Sequence, residues 1–505
     1  MGQVVVQSVK GTIISYSGAF IGFLTTFFIL TAFLSPEEIG LTRVLLEAAN
    51  LLSALAMLGM TSSIYRFFPY FKEEQTHSRE KPPKHHGFFY YIMKVALCGG
   101  LLITLIYILL SHPIGLFFSK NSALFLDYYY SVIPLTFFLL FWLVFEVYAV
   151  QMMRLAVPKF IREVLLRLLL IAVYLVYAFR WIDLRTMIFL FIGVYGLCMF
   201  VSFLYLRKIA YTGFYHDKSF LTPAIKSSFI KYTALYVIAS FGSTLASRMD
   251  LFMVSSLDTG GLYAAGVFSI AFFIASVIEI PSRSILSIST PRMSEAMKDN
   301  NIVEANRLYK QVSLYQLMIG GILFLIIWFN IHNVFAILPN GENYKGGVYV
   351  VFFLGLSKLV DVTFNYSHPI VSCSKYYHWN LYYTGIVTAI SIILNIWFIS
   401  RWGITGAAVA TLITMLCGYG FQQLLLLRYL KVHPFSPALF KLFVVFLGLI
   451  GVNPLLPCIA NPWLDLLLRS LILLTIAFSG LYFLRLTPEV FDILGGKLRH
   501  KKTVD

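Results

Sequence analysis

Charge is what this sequence has least of. Asp, Glu, Lys and Arg make up 12% of its 505 residues while 59% are hydrophobic, against roughly 25% charged and 45–50% apolar in soluble domains. A water-soluble globular protein is excluded. Cysteine is scarce as well: Cys98, Cys198, Cys373, Cys417 and Cys458 are odd in number, scattered and mostly inside apolar runs, so they offer neither a disulfide framework nor a metal-ligand spacing. No glycine loop ends in Lys-Ser/Thr and no His-Glu-x-x-His occurs. No long polar loop offers a place for catalytic groups, and His85-His86 reads as solvated in a Lys/Pro-rich connector. The expectation is a non-enzyme with no resident metal or cofactor, driven by an ion gradient, the membrane potential or its substrate gradient.

Apolar runs fill the chain. A spanning helix needs about 20 mostly apolar residues, and fourteen such segments stand between polar breaks: Thr12–Leu34, Ile39–Phe68, Phe88–Ser111, Tyr128–Met152, Phe160–Phe179, Leu184–Leu206, Phe229–Leu257, Leu262–Ser289, Tyr309–Leu338, Gly347–Val371, Trp379–Ser400, Ile404–Leu430, Leu439–Ile459 and Leu464–Leu484. The first is too long for a signal-peptide core and lacks a small-residue cleavage site, so it reads as a span. Met1-Gly2 does not make a myristoylation signal, because Val6 stands where Ser or Thr is wanted. The fold class expected is an all-α polytopic membrane protein.

The formal charge of +16 points first to nucleic acid, but its distribution points elsewhere. Lys and Arg gather in every second connector: Lys10; Lys72, Arg79, Lys81 and Lys84; Arg154, Lys159 and Arg162; Arg207, Lys208, Lys218 and Lys226; Arg292, Lys298, Arg307 and Lys310; Lys375; Arg428, Lys431 and Lys441; Arg485, Lys497, Arg499, Lys501 and Lys502. The opposite connectors hold only Lys120, Arg180, Arg185, Lys345 and Arg401. By the positive-inside bias both termini are cytoplasmic and the partner is the lipid bilayer, not nucleic acid. The alternation also supports an even span count, since a missed helix would invert it downstream.

An internal echo divides the spans into six, six and two. Leu34-Ser35-Pro36-Glu37-Glu38-Ile39 opens the second and Leu257-Asp258-Thr259-Gly260-Gly261-Leu262 opens the eighth, each followed about a helix later by a proline, Pro69 and Pro291. The expected domains are 1–210 (N-lobe), 211–433 (C-lobe) and 434–505 (two further spans and a tail), with the site between related halves.

Charges inside spans cost at least ~2.5–3.5 kcal/mol each near the bilayer centre, so they face a cavity or a partner. Arg43 and Glu47 are four apart on the second span, Glu279 and Arg283 four apart on the eighth, and Lys358 and Asp361 three apart on the tenth. Each pair can share a helix face and neutralise itself; equivalent places in the two halves favour a cavity lining. Arg248 and Asp250, two apart, cannot face the same way, so at least one reaches another helix. Glu146 has no basic residue within a turn and either pairs across helices or holds a proton. Arg66, Lys94, Arg167 and Lys231 read mostly as snorkelling anchors, with Arg66 the best placed to attract an anionic headgroup. Gly18, Gly22, Gly193 and Gly242 permit close helix approach. Pro134, Pro281 and Pro369 can kink their spans, and Pro281 beside Glu279/Arg283 is the best hinge position. Tyr128-Tyr129-Tyr130 opens its span as an interfacial belt.

Four stretches stand out together: Leu34–Gly40 with Leu58-Gly59-Met60, Arg248-Met249-Asp250 with Gly266-Val267-Phe268-Ser269-Ile270, Gly403–Thr411, and Leu338-Pro339 with Gly341 and Tyr344. On these the chain resembles a known family, the polysaccharide or oligosaccharide flippases of the multidrug/oligosaccharidyl-lipid/polysaccharide exporter superfamily. The resemblance implies two six-helix lobes around a central cavity plus two C-terminal helices, working by alternating access. The implied substrate is a polyprenyl-diphosphate-linked oligosaccharide, a surface-polysaccharide or lipopolysaccharide repeat unit, carried across a bacterial inner membrane alongside polysaccharide polymerase and glycosyltransferase partners. A diphosphate in a low-dielectric cavity needs charge-assisted bonds, which makes Arg43, Arg248, Arg283, Lys358 and Arg66 the candidate substrate-cavity residues. Glu47, Glu146, Asp250, Glu279 and Asp361 are candidates for coupling to a proton or sodium ion, or for pairing with the basic groups. The alternatives are a lipid-linked peptidoglycan precursor flippase, a drug/cation antiporter of the same superfamily, and, from another class, a membrane glycan polymerase or ligase.

Overall fold

The structure is a computed structural model that describes residues 2–71, 85–152, 154–213, 248–456 and 459–484, with positions 227, 229, 233, 237, 242, 244 and 245. Connector residues Lys72, Arg79, Lys81, Lys84, Lys218 and Lys226, the intramembrane Lys231, Cys458, the basic tail from Arg485 and most of the seventh segment lie outside these residues. Ten helical stretches among them are long and apolar enough to cross a membrane. The protein is all-α and multi-pass.

The first segment is α1 (Gly2–Leu24), continued through a π turn at Thr25–Leu30 to Phe33. The second is not one helix. It is α2 (Pro36–Ala56) and α3 (Met60–Phe71), interrupted where Leu58 and Gly59 take positive φ angles of 47° and 70°. The start of α2 is fixed locally: the Ser35 hydroxyl accepts from the Glu38 amide, Glu38 returns a bond to the Ser35 amide, and Pro36 fills the first turn, a reciprocal cap. Next come α4 (Phe88–Leu109), α5 (Val132–Gln151), a helical run from Ala156 through a π turn at Ile161–Leu165 into α6 (Leu166–Ala178), and α7 (Leu184–Ile209), capped by Asp183.

The eighth segment is α8 (Gly261–Ser276), a 3-10 turn at Val277–Glu279 and α9 (Ile280–Lys298). The predicted kink thus falls at Pro281, although the helix runs well past the expected end at Ser289. After α10 (Ile302–Phe329) and α11 (Val348–Phe364), the eleventh and twelfth segments share one helical stretch, α12 (Trp379–Leu425), broken at Gly403 (φ 57°, ψ −138°). Beyond the break the chain folds back, since Gly418 stands against Val387 and Tyr383. The thirteenth segment is shorter than expected, α13 (Pro437–Val452), and the fourteenth is α14 (Pro462–Phe483).

Two compact units emerge: Met1–Ile270 with Thr388–Ala407, and Ala271–Val387 with Ala408–Asp505. In the first, α5 is the central helix, with Val132, Leu135, Leu140, Trp142, Val144 and Tyr148 buried. Leu101, Leu105 and Leu109 of α4 stay exposed, as a lipid-facing surface requires. The two echo motifs meet in this unit. Gly40 of α2 lies on the carbonyl of Leu262, and Gly266 of α8 lies on the carbonyl of Pro36, both too close for any Cβ. Glycine is needed there because backbone meets backbone.

Candidate functional site

The fifth segment sets up the charged interior of the first unit. Its π turn carries Arg162 and Glu163 side by side in sequence, but they serve different neighbours. Arg162 Nη2 reaches Glu146 Oε2 on α5 at 2.5 Å, with its guanidinium 5.5 Å from the Trp142 ring centre. Glu163 takes Arg167 at 2.9 Å. A second bridge joins α2 to residues 248–257: Arg248 Nη1 donates to Glu47 Oε2. Between these pairs is a cavity of about 400 Å³, lined by Asn50, Ser53 and Thr244, by Leu139 and Leu143, and by Arg162 and Arg248. That volume lies in the range of small-ligand sites. Its walls combine apolar surface with hydroxyls, an amide and two guanidiniums, a donor-rich set suited to a phosphorylated or polyhydroxy ligand.

The intrahelical pairs that the spacing allows do not form. Glu47 takes Arg248 rather than Arg43, which puts its arginine on the N-terminal side, the weaker orientation for a helical pair. Arg43 Nη2 instead donates to Thr26 Oγ1 at 3.5 Å and has no carboxylate partner among the described residues. Glu279 takes Lys358 at 2.6 Å, because the 3-10 turn and Pro281 break the regular register that would bring Arg283 beneath it. Arg283 is exposed and without a carboxylate partner among the described residues. Lys358 also sits 4.8 Å from the Phe272 ring centre. Asp361 makes no salt bridge with Lys358 and accepts from the Tyr419 hydroxyl at 2.5 Å.

The remaining carboxylates make contacts across helices. Glu146 has Arg162, and Asp250 accepts from Asn395 of α12 at 2.8 Å, so both members of the Arg248/Asp250 pair reach other helices. Arg66 is exposed, 5.7 Å from the Phe67 ring centre. Gly18 and Gly22 of α1 receive Glu163 and Arg167, and the Gly242 carbonyl accepts from Thr388 at 2.9 Å. Gly193 has open space around it and mediates no close packing.

Three basic groups escaped the sequence reading. Arg162 counts there as a connector residue and Arg167 as an anchor, whereas both are inside helices and ion-paired. Arg469 on α14 pairs with Asp465 at 2.9 Å, and Asn333 donates to the same carboxylate at 2.5 Å. The four-residue Asp465/Arg469 spacing inside a span is the signal that would have found it.

No protein-family profile and no curated protein matches the sequence. Solved structures match its fold. The chain is similar to the lipid II flippase MurJ in an inward closed conformation, with a TM-score of 0.75 and 15% identity over 94% of this chain and 99% of that one. It is also similar to an inward-facing multidrug resistance transporter of the MATE family in the MOP superfamily, with a TM-score of 0.60 and 14% identity over 85% and 99%. A MOP-superfamily transporter from Pyrococcus furiosus, whose binding pocket is described as reversed in polarity, matches with a TM-score of 0.54 and 14% identity over 85% and 96%. The chain therefore shares the fold of these solved structures.

Proposed function

We propose that this chain is a flippase for a polyprenyl-diphosphate-linked oligosaccharide, turning a surface-polysaccharide repeat unit from the cytoplasmic to the periplasmic leaflet of a bacterial inner membrane while two six-helix lobes alternate access. The carrying observation is the cavity flanked by Arg162 and Arg248, each held by a carboxylate on a neighbouring helix. An uncompensated charge in a span is costly, so Glu146 and Glu47 hold the guanidiniums when no substrate is present. A diphosphate offers oxygens that a guanidinium fork can bind and can take the carboxylates' place. The lipid tail stays in the bilayer and only the headgroup needs a polar path. In the second unit Arg283 and Lys358 supply further cationic groups, with Arg66 as an exposed basic group on α3. Asp250, Glu279 and Asp361, polar-bonded or ion-paired within spans, are the coupling candidates for a proton or sodium ion. Polymerase and glycosyltransferase partners would act on the same lipid.

The likeness to a lipid II flippase favours one second reading, a lipid-linked peptidoglycan precursor, which offers the same diphosphate handle. A cation antiporter would want an anionic cavity, and the walls here carry arginines.

The test is depletion of the protein followed by leaflet-resolved labelling of lipid-linked glycans. Flipping predicts accumulation in the cytoplasmic leaflet, and the accumulating glycan distinguishes a surface repeat unit from a peptidoglycan precursor. Normal leaflet distribution with unpolymerised units outside would assign a polymerase instead.

A further inference from the structure

The α1–α2–α6 seam holds a basic pair that the cavity does not use. Arg167 of α6 gives Nη2 to Glu163, but its other terminal nitrogen, Nη1, is buried without a hydrogen-bond partner among the described residues. An orphaned charged donor is expensive. The guanidinium rests on Gly22 of α1, where a Cβ would stand 2.6 Å from Nη1. Arg43 of α2 reaches the same helix one turn further on, at Thr26. Gly22 and Thr26 are four residues apart, roughly 6 Å along the helix axis, and the two like charges repel.

Of the two cations only Arg167 has a carboxylate in contact, Glu163, while Arg43 has a hydroxyl. Self-neutralisation for insertion would supply a second acid, and snorkelling would leave Nη1 in water rather than buried. Both flanking helices carry a π turn here, at Thr25–Leu30 and Ile161–Leu165, a distortion common at functional sites.

We propose that Arg43 and Arg167 form a two-arginine clamp for a diphosphate ester at this seam, with Gly22 as the notch that admits the second guanidinium. The clamp rests on the reading of the substrate as a lipid diphosphate and adds a residue and a place to it. A diphosphate presents oxygens to both forks at once, whereas a monophosphate satisfies one.

The experiment measures binding of farnesyl diphosphate, farnesyl monophosphate and inorganic pyrophosphate to the full chain in nanodiscs. The wild type is expected to prefer farnesyl diphosphate over the monophosphate by about tenfold or more, the worth of one charge-assisted bond, and over inorganic pyrophosphate. Arg167→Gln and Arg43→Gln each bring the diphosphate/monophosphate ratio close to one, and Arg167→Lys gives an intermediate ratio. Glu163→Gln tightens diphosphate binding, because the competing carboxylate is gone; a purely structural bridge would give the opposite sign. A wild-type ratio in Arg167→Gln, or weakened binding in Glu163→Gln, overturns the clamp. If Arg248→Gln abolishes binding while Arg167→Gln leaves it intact, the clamp falls and the proposed function stands. Equal affinity for inorganic pyrophosphate overturns the lipid source, and no binding of farnesyl diphosphate by the wild type overturns clamp and function together.

Discussion

Replacing Lys358 by methionine removes the cation from a largely buried ion pair of the second unit and leaves Glu279 without its cation. The two groups are 2.6 Å apart and their side chains are only 16% and 21% exposed. At an effective dielectric of about 20 the Coulomb attraction at that distance is about 6 kcal/mol. Desolvation offsets much of it, and truncating one member of such a pair typically costs roughly 3–5 kcal/mol, chiefly for the stranded charge. The lost contact with the Phe272 ring adds about 0.5–1 kcal/mol. The double variant Lys358→Met/Glu279→Leu strands nothing, so it should recover most of the loss, with a coupling of about 2–3 kcal/mol in a double-mutant cycle. Fluorescence-detected size exclusion after graded heating of the purified chain gives the order: wild type, then the double variant, then Lys358→Met lowest. A double variant that falls by the sum of its two singles would refute the reasoning, because the residues would then act independently.

Three further outcomes are expected. Gly40→Ala and Gly266→Ala, each placing a methyl on a neighbouring carbonyl, should cost at least about 1–3 kcal/mol and lower the yield of monodisperse protein, whereas Gly193→Ala, facing open space, should be silent; equal behaviour of all three would contradict the crossing. Arg162→Glu should destabilise by facing Glu146, and adding Glu146→Arg should restore the fold but not headgroup translocation in liposomes, since the cavity wall has changed sign; restored translocation would remove Arg162 from the site. At the start of α7, bonds from the Thr186 side chain and backbone amide hold the Asp183 carboxyl below its ordinary value. Its stabilising contribution is therefore present above an unfolded pKa of about 4 and is lost as pH falls through the depressed folded value. The protection factor of the Thr186 amide, its exchange rate relative to the unstructured rate at the same pH, should fall on acidification in the wild type and stay constant in Asp183→Asn.

Spans were legible because the bilayer demands them: apolar length alone located α4, α5, α7 and α14 to within a few residues. Breaks inside spans were less so. Pro281 announced its kink, but the interruption at Leu58-Gly59 leaves only a glycine in the sequence, and an isolated glycine in an apolar helix has several meanings. The charged residues that matter were visible because the chain spares charge elsewhere, while their partners were not. Helical spacing ranks neighbours on one helix, and it cannot see that Glu47 meets Arg248 two hundred residues away or that a 3-10 turn removes Arg283 from Glu279. Arg162 and Arg167 were misassigned because they fall near a predicted membrane surface, where depth cannot be read from sequence to within a turn.

The meeting of the two echo motifs has a mechanical side. With no side-chain atom between Gly40 and the Leu262 carbonyl, or between Gly266 and that of Pro36, the spacing of α2 and α8 at that height is set by backbone radii, which do not compress. Side-chain repacking elsewhere can tilt or twist the helices but cannot pull them closer there. What remains cheap is rotation about the contact, so the crossing behaves as a bearing. Glu47, less than two turns along α2 from Gly40, then moves little when α2 pivots, and groups farther along the helix sweep through the wider arc.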